Sequence, residues 1–157
     1  MPVGRGVLRL SKDGLCRQLS PPRGPFLSTR FEEVADGFVL AAERAYLEGE
    51  RRLGRLATAD ASGLPHVVPV GWRYNPELGT IDITGRNFTA SRKFRNVQIN
   101  PQAAFVVDDL ASVNPWRPRS VMIQGRAEAL EGSDEEGPAL IRIFPDRIVS
   151  WGLDIPG

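Results

Sequence analysis

Ser91, Arg92 and Lys93 stand together in the stretch TGRNFTASRKFRNVQINP, Thr84 to Pro101, which also carries Arg86 and Arg95. No aspartate or glutamate occurs between Asp82 and Asp108. Lys12 is the only other lysine among 20 lysines and arginines. If Ser91 opens a helix, the N–H groups of the first turn lack intrahelical acceptors and carry the positive end of the helix dipole. A hydroxyl, a guanidinium fork and an ammonium then join those amides around one point, which is the chemistry of a phosphate site. The competing reading is a basic, solvated helix face. A basic first turn opposes the dipole, and that conflict favours a bound anion.

The elements that must position this segment are short. RLATAD, HVVPVGWRY, TIDIT, AAFVVDD, SVMIQGRAEAL and the pair LIRIF and RIVSWG are rich in β-branched residues. They are separated by the turn signals DASGLP, NPELG, NPQ, NPWRP and EGSDEEGP. ASRKFRNVQIN is a helical interruption that Asn100-Pro101 ends. Before the strands, Thr29 and Glu32 have capping-box spacing. FVLAAERAYLEGE then sets Val39, Ala42, Tyr46 and Leu47 near one stripe, predicting a helix of two or three turns. Residues 1–30 lack periodicity and are expected to form a flexible basic arm, leaving 31–157 as the folded domain. Six short strands with one inserted helix predict a mainly β fold, a small antiparallel barrel.

Composition narrows the function. A formal charge of +1 argues against a nucleic-acid partner. One cysteine, Cys16, excludes an internal disulfide, and one histidine, His66, excludes a conventional Cys/His zinc site. No apolar run approaches the roughly 18 residues of a membrane span, and no secretory leader pattern opens the sequence. A cytoplasmic, soluble protein is expected.

With those residues in view, GLPHVVPVGWRYNPELGTIDITGRNFTASRKFRNVQINPQAAFVV resembles the core of the pyridoxamine 5'-phosphate oxidase-like split-barrel flavoproteins. RLGRLAT, DDLASVNPWRPRS and RIVSWGLD are most similar to members assigned to the deazaflavin coenzyme F420. The resemblance implies a six-stranded antiparallel Greek-key split β-barrel that forms a homodimer, with cofactor sites at the interface. It assigns the phosphate to Ser91, Arg92 and Lys93, with Ile83 and Thr84 beside it. It lays the cofactor ring along Val68, Pro69, Val70, Gly71, Trp72 and Arg73, and places Trp151 near that ring. The implied activity is hydride transfer between F420, or alternatively FMN, and a small organic substrate, with no catalytic side chain. Pyridoxamine phosphate oxidases carry an arginine where Val68 stands and a lysine where Arg73 stands. They also have an Arg-x-His segment that does not follow RIVSWGLD here, so vitamin B6 oxidation is not expected.

Trp116, between two prolines and flanked by Arg117 and Arg119, reads equally as a cofactor lid or as an interface anchor. Arg73, Arg117 and Arg119 are candidates for binding the substrate or an acidic cofactor tail. Trp72 reads as core or dimer contact, and His66 as structural. Asp108 and Asp109 point to opposite faces of a strand and are expected to close it and cap the next turn. Two other classes remain open: a non-catalytic flavin, F420 or haem carrier, for which His66 would be the haem ligand, and an anion- or RNA-binding module using the arm and the 86–95 cations.

Overall fold

The computed structural model describes residues 32–34, 40–134 and 137–153. The expected arm, Cys16, Thr29 and Val39 lie outside the described residues. The elements run β1 (Glu32–Val34), α1 (Ala41–Glu48), β2 (Gly54–Ala59), β3 (Pro65–Val70), β4 (Trp72–Asn75) and β5 (Thr80–Thr84). After them come α2 (Arg92–Ile99), β6 (Gln102–Ser112), β7 (Arg117–Leu130) and β8 (Leu140–Trp151). A single 3-10 turn, Phe88–Ala90, leads into α2. All pairings are antiparallel, in the order β3-β2-β6-β7-β8-β5-β4, with β1 added beside β8.

The two ends of that path, β3 and β4, are consecutive in sequence and meet at Gly71. The sheet therefore curls until one bent strand serves both edges, a split barrel as expected. The expected count of six strands becomes seven along the path, because the 65–75 run breaks at Gly71. LIRIF and RIVSWG, by contrast, merge into the one strand β8.

Alternation places Leu56, Phe105, Val107, Val121, Ile123, Ile141 and Ile143 inside, all essentially without solvent contact. In β8 the inward parity then changes to Ile148. A register shift between Gln124 and Gly125, opposite Pro145 and Asp146, supplies the extra residue. Gly125 is needed there, since a Cβ would sit 1.9 Å from the Phe144 carbonyl oxygen.

Glu32 lies in the strand β1, its backbone paired with Ser150, and not in the first turn of a helix. The side chain that reaches back in α1 is Glu43, whose Oε2 accepts from the Leu40 amide at 2.9 Å while Oε1 accepts from Ser150 Oγ at 2.8 Å. Tyr46 and Leu47 are the buried apolar residues of α1. Phe94 and Val97 bury α2, Phe94 meets Phe88 edge-on at 5.7 Å, and Asn96 donates to Thr58 Oγ1 at 3.0 Å. Asn100 is extended and Pro101 follows, so α2 ends as its sequence requires. In the described residues no helix is long and apolar enough to cross a membrane.

Candidate functional site

Ser91 caps α2 with extended backbone, its Oγ accepting from the Phe94 amide at 3.4 Å and donating to the Phe88 carbonyl at 2.6 Å. The serine hydroxyl is thus engaged in shaping the turn. First-turn amides have no acceptor within their own helix, so Arg92 and Lys93 bring backbone N–H groups as well as side chains. The Arg92 guanidinium is half-exposed and approaches Asp60 Oδ2 at 3.7 Å. Asp60 is itself held in the β2–β3 turn, accepting from Ser62 and Leu64, and these bonds keep its carboxyl below the usual carboxylate range. The Lys93 ammonium lies over the Phe88 ring at 4.9 Å. Thr84, exposed, ends β5 just ahead of this turn, whereas Ile83 points wholly into the core and offers only backbone.

Along the strand 68–73, Trp72 pairs with Ile83, which sets Gly71 at the level of Thr84. Pro69 and Arg73 are exposed, Val68 and Trp72 are half-buried, and Val70 is buried. At Gly71 a Cβ would meet nothing within 4 Å, so the backbone lies open there. Trp72 packs edge-on against Phe105 at 5.2 Å and donates from Nε1 to the Arg52 carbonyl at 2.9 Å. Arg73 stands opposite Asp82, and Asp82 opposite Arg142, across β4, β5 and β8. Arg142 holds both carboxylate oxygens at 2.8 Å, while Arg73 adds a longer contact of 3.6 Å. Burial raises the Asp82 pKa, but the Arg142 fork outweighs it and leaves the group below its ordinary value.

A cleft of about 590 Å³ opens beside Gly71, between the chain following α1 and β4. Leu47, Arg51, Leu53, Trp72 and Tyr74 are among its walls. One wall is fixed from behind by Asp109, which accepts from Arg52 Nε at 2.6 Å, Tyr46 OH at 3.1 Å, Arg119 Nε at 2.9 Å and a terminal Arg119 nitrogen at 2.7 Å. The Arg119 fork above all, despite partial burial, holds the Asp109 carboxyl down at about 2. Burial, then the Asp109 charge, pushes the Tyr46 phenol up, so it stays a donor. Asp108 faces the other way and pairs with Arg55. The two aspartates do point to opposite faces, but they sit within β6, which runs on to Ser112, and do not close it.

The site residues read from the sequence do not all meet. Thr84 pairs with Leu140 at one end of β8, while Trp151 ends the same strand opposite Ser120. The intervening chain measures roughly 35 Å if extended. Trp116, 66% exposed, sits at the tip of the β6–β7 hairpin, near the level of Trp151. Arg119 is committed to Asp109, whereas Arg117 is exposed. His66 is half-buried, and its Nδ1 is buried without a hydrogen-bond partner. Sequence reasoning missed Arg51, Leu53 and the Asp109 knot. The signal available was the Arg51-Arg52-Leu53 run after a helix-ending Gly49, which reads as ordinary loop until β4 is placed beside it.

Comparison with known proteins fits this architecture. One relative, a 5a,11a-dehydrotetracycline/5a,11a-dehydrooxytetracycline reductase of Streptomyces rimosus subsp. rimosus, is 51% identical over 106 residues, covering 64% of this chain and 75% of that protein. A conserved hypothetical protein of Mycobacterium tuberculosis superposes with a TM-score of 0.60 at 22% identity, covering 80% of this chain and 94% of the other. An FAD-binding protein of Mesorhizobium loti gives 0.55 at 21%, covering 71% and 94%. These two share the fold. Residues 40–155 match the family described as pyridoxamine 5'-phosphate oxidase, and the chain belongs to that family.

Proposed function

We propose that the chain is a two-electron oxidoreductase that uses coenzyme F420, with FMN as the alternative, to reduce a small conjugated organic acceptor. The observation that carries the cofactor assignment is the amino end of α2. There, among the described residues, the Arg92 and Lys93 side chains meet one carboxylate, Asp60, whose contact with Arg92 at 3.7 Å makes it a weak competitor beside first-turn amides that lack helical acceptors. That donor set fits a phosphate group. The reaction class rests on the likeness to the Streptomyces reductase. When bound, the reduced deazaflavin supplies a hydride to an electron-poor carbon of the acceptor, and a proton from water completes the reduction.

The protein's part is binding and exclusion of water. Arg92 and Lys93 hold the phosphate, Ser91 fixes the turn that aims their amides, and Thr84 borders it. The backbone of Val68 to Arg73 forms the bed of the ring, with Gly71 its most open point. Two copies form the working unit. Trp116 and Trp151 lie far along β8 from Thr84 and Ser91, so one cofactor meets both groups only if they come from different protomers. The outer face of β3 also carries Val67 at 65% exposure between exposed Pro65 and Pro69, a face suited to a second copy.

Parallel titration of the purified chain with F420 and FMN, followed by absorbance, tests the reading. Saturable binding with F420 preferred is expected, together with a dimeric mass in solution. Failure of both cofactors to bind would discard it.

A further inference from the structure

We propose that the cleft beside Gly71 is the acceptor site, and that it takes a flat, fused-ring, oxygen-rich molecule carrying an enolate-type negative charge. This rests on the proposed course of the cofactor ring along residues 68–73. The cleft shares Gly71, Trp72 and Arg73 with that strand, so a molecule seated in it lies against the open backbone where the ring is expected. At about 590 Å³ it matches the size of small-molecule sites, which run from about 300 to 1,000 Å³.

Its walls select by shape and charge. Leu53, 64% exposed, together with Trp72 and Tyr74, gives broad apolar or aromatic surfaces on which a planar ring system can stack. Of the charged residues around the cleft, Glu48 is paired with Arg44 at 2.9 Å, and Arg52 is consumed by Asp109 at 2.6 Å. Arg73 is a second cation on an aspartate that Arg142 already forks. Arg51 has no ion-pair partner among the described residues and is exposed at the rim. Glu50, 88% exposed, reaches only Arg52, at 3.7 Å, so one loosely held acid stands against the two cations Arg51 and Arg73. The balance is positive, and a guanidinium fork suits two adjacent oxygens of a delocalised anion.

The wall is also held in place before any ligand arrives. Asp109 anchors the Arg52 side chain, and the Arg52 carbonyl accepts from Trp72, so residues 49–53 and Trp72 are fixed to one another. A site held this way loses little ordering entropy on binding.

The test is equilibrium binding of tetracycline to the full chain, with and without saturating F420, read by quenching of tryptophan emission. Wild type should quench saturably. Arg51→Ala should weaken binding about tenfold and Arg51→Lys by about threefold, with F420 affinity changed by less than about twofold in both. Leu53→Glu, at an exposed position that leaves the core intact, should also lose the probe. Wild-type-like binding by Arg51→Ala and Leu53→Glu, or no saturable quenching by wild type under either condition, overturns the assignment. The cofactor reading fails separately. Arg51-dependent tetracycline binding in a chain that binds neither F420 nor FMN keeps the cleft and discards the cofactor. Arg51-independent behaviour with intact F420 binding does the reverse.

Discussion

Arg52 and Arg119 converge on Asp109 with four donors between 2.6 and 3.1 Å once Tyr46 is included, whereas among the described residues Arg92 and Lys93 have no carboxylate closer than Asp60 at 3.7 Å. Both regions are rich in cations on the page of the sequence, and only folding separates them. At Asp109 the charges neutralise one another and tie α1, the following loop, β6 and β7 together. At the start of α2 the charges are gathered and left without an equal partner. Cation density alone does not mark a ligand site; cation density minus the acids that fold back onto it does.

The largest effect that would break this contrast is on cofactor affinity. Replacing Arg92 and Lys93 together with alanine should cost about 3 kcal/mol, close to two orders of magnitude in Kd, by F420 or FMN titration. Unchanged affinity would place the phosphate elsewhere. The same change should leave the unfolding midpoint nearly untouched, because neither side chain is buried in the core.

Asp109→Ala should behave in the opposite way. It leaves two partly buried guanidinium groups uncompensated and should lower stability by about 2–3 kcal/mol in urea unfolding. The pH dependence sharpens this. Because the folded carboxyl is depressed, its contribution is complete well above the unfolded value of about 3.9. It declines below that value and is gone once pH falls through about 2. Wild type should therefore lose stability between pH 4 and 2 more steeply than Asp109→Asn. Parallel curves would remove Asp109 from that account.

The smallest effect concerns the weak competitor. Asp60→Asn removes the negative charge near Arg92 and should tighten cofactor binding by about twofold to threefold, an exposed pair being worth little. Weaker binding in this variant would mean that Asp60 orients Arg92 toward the phosphate.

Much of the barrel was legible because its strands alternate cleanly, as Ala103, Phe105 and Val107 do in β6. The α2 boundaries were legible for local reasons, a serine cap and an Asn-Pro stop. Less accessible was anything settled by distant partners. Asp109 meets Tyr46 and Arg52 across 63 and 57 residues, and no spacing rule announces that knot. Glu32 was misread because its cap-like spacing is a local pattern that pairing with Ser150 overrides. The residue types of the phosphate site were readable, but the separation of Trp116 and Trp151 from it was not. That separation follows from where β8 begins and ends, which depends on the register of the whole sheet.

The register shift at Pro145 and Asp146 limits how this chain can change length. Pairing of β8 without that shift, at the same length, would swing Ile148 toward solvent and turn its charged neighbour Arg147 toward the interior, whereas loss of the one extra residue together with the shift would leave Ile148 facing inward. The bend at Pro76–Leu78, exposed throughout, faces no such constraint. Descendants of this sequence should therefore vary in length at hairpin tips, and along β8 should either keep the shift or lose the extra residue and the shift together.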